Sequence, residues 1–391
     1  MKLADAPWQA RPEMRRLLAV LGAGDGETRF VGGCVRDTLL GLAVSDVDLA
    51  TRLEPDAVLG RLKRGGIKAV PTGIAHGTVT AVIAGQPVEI TTLRRDVSTD
   101  GRRATVAFTS DWREDAARRD FTINALSAHP GTRELFDYFG GLADLEERRV
   151  RFIGDPLVRI AEDHLRILRF FRFHARFGTG MPDAAGLEAC SARANDLMAL
   201  SRERIADELL KLLAMPDPTE TVRLMVARSI LAPVLPEIGD ESVDRLAGLP
   251  AREQSAGVGP NPLRRLAALL PSGAATEVAA RLRLSNAART RLTCIELGAQ
   301  EPIHSPLVLA YRVGLDCAVD RLLLAPGLSG EQAAAGIAQL DGWQRPRLAV
   351  KGGDLIAMGL QPGPVVAATM QAIEREWAEE GFPAGKQAAR A

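Results

Sequence analysis

The sequence predicts an α+β fold: a small mixed sheet near the N-terminus followed by an elongated all-helical remainder. Three features predict it. From Arg29 to about Gly141, short β-like runs alternate with glycine-rich turns. From Asp144 onward those runs fade, and apolar residues recur at the three- and four-residue spacing of amphipathic helices. The chain has 391 residues, more than one hydrophobic core usually serves, so two to four modules are expected.

The elements follow in chain order. A short helical lead precedes the sheet. FVGGCVRD, DVDLAT, GTVTAVIAG and PVEITTL then read as strands or strand edges, bounded by Gly, Pro and Asp. Beyond them RIAEDHLRILRFFRFHARF and SRERIADELLKLLA read as amphipathic helices. Ser201 stands where an N-cap belongs, and Glu203 falls in the first turn, where the helix dipole favours an acid. LPAREQSAGVGPNPL reads as a loop between helical modules, and QPGPVV as a second turn. The expected partition is a sheet-bearing module over 1–141 and helical modules over 142–213, 214–300 and 301–391. No internal repeat stands out.

Hydrophobic residues make up 46% and charged residues 25%, which excludes a chain disordered throughout. Lys plus Arg equals Asp plus Glu at 49 each, so nucleic-acid contact must come from local segregation of charge. One segregation exists: eight arginines against three acids between Arg148 and Arg176, interleaved with phenylalanines. Acidic and proline residues interrupt the N-terminal stretch, and no apolar run reaches membrane-spanning length, so a cytoplasmic protein without a membrane partner is expected. Cys34, Cys190, Cys294 and Cys317 lie far apart and are expected to be reduced and structural.

The strongest chemical signal opens at Val31, where VGGCVRDTLLG is followed by SDVDLAT. In an extended strand, residues two apart share a face, so Asp46 and Asp48 project together while Val47 and Leu49 enter the core. Two carboxylates on one face suit a hard divalent cation such as Mg²⁺, which takes oxygen ligands and keeps room for substrate phosphates. A DxD alone is more often a solvated turn. Gly32 and Gly33 lie just upstream, between a strand and a helix, where glycine lets backbone N–H groups approach phosphate oxygens. Arg36 offers a charge for a triphosphate. A plain strand-to-helix turn is the simpler reading of the glycines, and the nearby DxD weighs against it.

GGCVRD followed by DVD resembles the signature of the polymerase-β-like nucleotidyltransferase superfamily, in its class II branch of tRNA CCA-adding enzymes and bacterial poly(A) polymerases. EDAARRDFTINAL resembles the branch's second motif, which implies that Arg119 contacts the nucleotide while Phe121, Ile123 and Leu126 anchor the segment. DLEERRVRFIGDP resembles the link between catalytic head and neck. PTGIAHGTVTAV and VEITTLRRDVSTDGRRATVAF resemble the head strands and the flexible loop after them, with Glu89 placed as an auxiliary third carboxylate. SRERIADELLKLL resembles the fifth motif, a structural one, and KGGDLIAMGLQPGPVVAATM a tail motif in which Asp354 caps a helix and Pro362, Gly363 and Pro364 shape a turn. The partition then becomes a nucleotidyltransferase catalytic head, a neck with a nucleotide-reading helix, a body, and a tRNA-binding tail.

AEDHLRILRFFRF matches the motif that reads the incoming base. Asp163, Arg166 and Arg169 step three residues at a time along a predicted helix. A carboxylate accepts from the exocyclic amine of cytosine or adenine, while uracil and guanine present a carbonyl there, so the pair selects C and A without a template. The resemblance adds Arg169 and Arg172 as further nucleotide contacts. The bland alternative is a solvated arginine face over a core of Phe170, Phe171, Phe173 and Phe177. Arg176 is left unassigned.

The resemblance implies metal-dependent transfer of C, C and A from CTP and ATP to the 3′ end of tRNA, with Asp46 and Asp48 catalytic. Poly(A) polymerases of the branch carry an arginine-rich segment where this chain has PTGIAHGTV, which favours CCA addition. A non-catalytic RNA-binding relative would have lost the carboxylates or the reading pair, and this chain keeps both. A small-molecule nucleotidyltransferase would not need so long a helical portion. Among the five histidines, no His-Asp pair marks the phosphohydrolase domain some relatives carry.

Overall fold

The structure is a computed structural model describing residues 1–100, 103–298 and 302–383, without the side chains of 96–100 and 103–105. It confirms the α+β class. The described residues form two compact units, one of Met1–Ile205 with Arg228–Val234, the other of Ala206–Ala227 with the residues from Leu235 onward.

The first unit opens with α1 (Pro12–Val20), started by a proline whose missing N–H costs nothing in a first turn. Then come β1 (Thr28–Val31), α2 (Gly33–Leu39), β2 (Asp48–Thr51), α3 (Pro55–Arg64), β3 (Lys68–Gly73), β4 (Thr78–Ile83) and β5 (Gln86–Thr92). β6 (Arg94–Asp100) and β7 (Arg103–Phe108) pair with each other as a separate antiparallel ribbon. The expected flexible loop is therefore in part regular strand, and residues 101–102 lie outside the described residues. α4 (Trp112–Ala117), β8 (Ser127–Ala128), β9 (Leu135–Phe136), α5 (Gly141–Glu146), α6 (Pro156–Glu162), α7 (Arg166–Phe177), α8 (Ala184–Ala192) and α9 (Arg202–Leu213) complete the series, α9 running on into the second unit.

Seven strands form one mixed sheet in the order β3-β4-β5-β2-β1-β8-β9, with β2 and β5 parallel and the other pairs antiparallel. β4 turns into β5 through Ala84 and Gly85, both at positive φ, the two-residue turn whose twist matches the strands. Leu49, Val79, Ala81 and Ile90 fill one buried face, joined by Leu17 of α1 and Val58 and Leu62 of α3. Asp144 is fully buried and holds Thr122, Arg149 and Arg151 around it.

Every regular element described in the second unit is helical. At its centre lies a buried ionic cluster. Glu253 accepts from Arg264 at 2.6 Å and from Arg265 at 2.7 Å, and Asp320 accepts from Arg264 at 2.8 Å and Arg291 at 2.6 Å. Arg265 also donates to the carbonyls of Leu213 and Pro216, at 2.8 Å each. The expected 249–263 loop is shorter than its sequence suggested: Leu249–Ser255 is helical, since Pro250 sits in a first turn where proline is tolerated. Asp354 accepts the Lys351 N–H at 2.9 Å and caps Gly352–Ala357 as expected.

The cysteine expectation is half corrected. Cys34 and Cys190 are free and buried, but Cys294 and Cys317 form a disulfide. Two neighbouring helices, Asn286–Leu297 and Leu315–Leu324, carry the two sulfurs to each other. A separation of 23 residues gives no local sign of that meeting. No described helix is long and apolar enough to cross a membrane.

Candidate active site

Strand register builds the site. The last residue of β1, Val31, pairs with Asp48, the first residue of β2, and Asp48 pairs in parallel register with Glu89 of β5. One step along, Leu49 and Ile90 are both fully buried. Alternation therefore turns Asp48 and Glu89 together to the open face, beside the turn that leaves β1. Asp46 lies just before the strand, exposed, with the Ser45 hydroxyl donating to it at 2.8 Å. The structure brings the three carboxylates to one end of the sheet, but regular strand begins only at Asp48, and Val47 is half-buried and not in the core.

Their electrostatics differ from those of ordinary ion pairs. Burial, then the Glu89 carboxylate, pushes the Asp48 carboxyl above its ordinary value, with Asp46 adding to the rise and Arg119 opposing it. Like charges held this close favour either a shared proton or a cation. Among the described residues, no group of three His, Cys, Asp or Glu side chains closes into an ion cage. The donors fit a looser arrangement, in which one or two carboxylates bind a hard cation and the substrate's phosphates complete its shell.

The turn after β1 needs glycine at Gly32. Its φ is +69°, and a Cβ there would stand 3.2 Å from Arg119 Nη1 and 3.6 Å from the Asn124 carbonyl oxygen. Arg119 thus lies against the turn and faces Asp48 electrostatically, with Asp115 accepting its Nη2 at 3.2 Å. Gly33 begins α2.

Arg36 is placed differently from its predicted role. Its guanidinium is buried, donating to Asp37 at 2.8 Å and to Asn124, and it lies 4.2 Å over the Phe177 ring. Its Nη2 comes within 3.6 Å of where a Gly33 Cβ would stand, so it braces the turn from inside. Helical spacing put Arg36 near the turn but could not say which side of the helix it takes.

The arginine-rich helix needs a similar correction. Asp163 does not share a helix with Arg166: α6 ends at Glu162, Asp163 is extended, and α7 starts at Arg166. The carboxylate itself makes the break by accepting the Leu165 N–H at 3.2 Å, a local bond that competes with helix. Arg166 donates to Glu162 at 2.5 Å and to the Arg159 and Arg118 carbonyls. Arg169 donates to Asp120 at 2.8 Å, and Arg172 lies 4.6 Å over the Phe173 ring. Phe170, Phe171, Phe173 and Phe177 are buried as expected; Phe170 meets the rings of Phe121 and Phe152, and Phe173 meets that of Phe121. This aromatic layer fixes α7 to the segment that carries Arg119. Phe121, Ile123 and Leu126 are buried, as their anchoring role requires.

Several positioning residues escaped the sequence reading. Asp115 holds both Arg118 and Arg119, and Asp120 holds Arg169 and Asn124. Both carboxyls sit below their ordinary value because neighbouring arginines and hydrogen bonds outweigh burial. Arg159 donates to Glu162 and to the Arg119 carbonyl, which ties α6 to the same segment. The usable signal was the run of acids and arginines inside EDAARRDF, too polar for a core segment unless paired.

Known proteins of similar sequence and fold identify the family. The family described as "Poly A polymerase head domain" matches residues 28–151, and "Probable RNA and SrmB- binding site of polymerase A" matches residues 183–241. The mitochondrial CCA tRNA nucleotidyltransferase 1 of Mus musculus is 33% identical over 98% of this chain and 90% of its own length. A CCA-adding enzyme of Levilactobacillus brevis is 32% identical over 96% of this chain and 95% of its own. The solved Bacillus stearothermophilus CCA-adding enzyme in complex with CTP superposes with a TM-score of 0.76 at 25% identity, covering 95% of this chain and 94% of the other. With the carboxylates, the glycine turn and the arginine-rich helix in one fold, and relatives above 30% identity along nearly the whole chain, the protein belongs to the CCA tRNA nucleotidyltransferase family.

Proposed function

We propose that this enzyme adds C, C and A to the 3′ end of tRNA from CTP and ATP without a nucleic-acid template. The observation that carries the chemistry is the juxtaposition of Asp48, Glu89 and the Gly32 turn at one end of the sheet. A divalent metal ion, proposed as Mg²⁺, would supply activation of the primer 3′-hydroxyl and charge for the departing pyrophosphate. Asp46 and Asp48 would hold it, with Glu89 in support. Arg119 and the backbone of Gly32 and Gly33 orient the triphosphate for in-line attack at its α-phosphorus. Arg36 keeps that turn in place. Asp163 and Arg166 select the base, and Arg169 and Arg172 hold the nucleotide against α7. Arg166 gives one Nη atom to Glu162 and the other to a carbonyl, so its reading role calls for an exchange of partners when the base arrives.

The head over 1–141, the neck over 142–213, the body over 214–300 and the tRNA-binding tail over 301–391 remain the proposed division of labour. The proposed compartment is the cytoplasm. Cell fractionation checks it, and a mitochondrial location, as in the mouse relative's name, would overturn it.

The deciding experiment offers purified protein Mg²⁺, each labelled nucleotide in turn, and tRNA transcripts ending before CCA, after C and after CC. Two C additions, one A and a stop are expected. A long A ladder on general RNA would instead make it a poly(A) polymerase.

A further inference from the structure

Asp163 lies beyond the end of α6, at φ −151° and ψ 105°, so no helix fixes its direction. Two groups do. The Leu165 N–H donates to Oδ1 at 3.2 Å, and Arg204, in the first turn of α9, donates through Nη2 to Oδ1 at 3.1 Å and Oδ2 at 2.8 Å. The two side chains are 32% and 33% exposed, so the pair stands where a ligand can reach it. We propose that Arg204 is a positioning residue for nucleotide selection, acting through Asp163. This rests on the reading of Asp163 as the base-selecting carboxylate.

The argument is one of lone pairs. An ionised carboxylate offers about four acceptor positions, two on each oxygen. Among the described residues, Oδ1 receives Leu165 and Arg204, and Oδ2 receives Arg204 alone. The remaining position on Oδ2 can take one exocyclic N–H from cytosine or adenine, and it opposes the carbonyl of uracil or guanine. Without Arg204 the carboxylate turns about a broad, roughly two-fold torsion and presents either oxygen in many directions. Discrimination then falls although the carboxylate is still present. An ion pair this exposed adds little to stability, so a structural role alone predicts almost no effect on selection. The helix that resembles a purely structural motif thereby contributes to specificity.

The test measures single-nucleotide incorporation of CTP and UTP on a tRNA transcript lacking CCA, for the wild type, Arg204→Gln, Arg204→Lys, Asp163→Ala and the Gln/Ala double variant. Arg204→Gln is expected to lower the CTP-over-UTP ratio of kcat/KM about tenfold, with Tm and tRNA affinity little changed. Arg204→Lys should recover most of the ratio, since a single nitrogen makes both bonds here. The double variant should be no less selective than Asp163→Ala alone. An unchanged ratio in Arg204→Gln, or losses that multiply in the double variant, overturns the proposal while leaving Asp163 in its role. An unchanged ratio in Asp163→Ala overturns the base-reading assignment itself, and Arg204's role with it. Should Arg204→Gln fail to fold, Arg204→Met keeps the stem without the charge and is read by the same outcomes.

Discussion

Both compact units bury arginines and acids, and they use them in opposite ways. In the helical unit Glu253, Arg264, Arg265, Asp320 and Arg291 satisfy one another, and Arg265 spends its remaining donors on backbone carbonyls. Each charge in that cluster is met by an opposite one. In the sheet-bearing unit, Asp115 and Asp120 are matched by arginines, but Asp48 faces the Glu89 and Asp46 carboxylates, with Arg119 opposing them. Within one compact unit, the Asp115 and Asp120 carboxyls are pulled down where they hold arginines, and the Asp48 carboxyl is pushed up where it faces other acids. Satisfied charge marks scaffold here, and unsatisfied like charge marks the site.

Asp48→Asn breaks the comparison hardest. Incorporation should fall on the order of a thousandfold or more, with tRNA binding largely kept. The same change should raise Tm at neutral pH without divalent cation. The raised carboxyl is favourable in the fold only below its unfolded value and loses that benefit as pH rises through its folded value, so ionised Asp48 is a liability that Asn removes. A lower Tm would sink the account of its surroundings. Next in size, Glu253→Ala leaves Arg265 in the core without a carboxylate and Arg264 with Asp320 alone, and should cost about 3 to 5 kcal/mol by denaturant unfolding. A cost below about 1 kcal/mol would mean that the cluster relaxes without its acid.

Gly32→Ala should cost about 1 to 3 kcal/mol through backbone strain and displace Arg119, raising KM for the nucleotide. An unchanged KM would separate Arg119 from triphosphate binding. The smallest effect sharpens the sign contrast inside the sheet-bearing unit. Asp120 contributes stability above its unfolded value and loses it as pH falls through its depressed folded value. The Tm gap between wild type and Asp120→Asn should therefore be present at neutral pH and close only below the ordinary carboxylate range. A gap that does not change with pH would deny the Asp120–Arg169 pairing its electrostatic part.

The legible parts of the site were those written at short period. VGGCVRD and DVD disclosed the turn and the carboxylates because strand alternation acts over two residues, and the phenylalanines of α7 disclosed its buried face because helical spacing acts over three and four. What stayed hidden depended on partners distant in sequence. Arg204 meets Asp163 from 41 residues away, Arg169 meets Asp120 from 49, and Cys294 meets Cys317 only after two helices pack. The break at Asp163 was missed for a different reason. RIAEDHLRILRF keeps helical periodicity straight through it, and one side-chain bond to Leu165 overrides the pattern.

The parallel pairing of β2 with β5 gives the site a reading frame. Asp48 meets Glu89 because the residues along both strands are counted from a common hydrogen-bonded ladder. A one-residue deletion within β5 would swing Glu89 beneath the sheet and bring Val88 or Ile90 up in its place, much as a frameshift scrambles a message whose letters are all intact. Substitutions among the apolar residues below can loosen the fold by degrees, but they leave that count unchanged. The pairing of Asp48 with Glu89 should therefore tolerate gradual drift in the core and fail abruptly with an insertion or deletion in either strand.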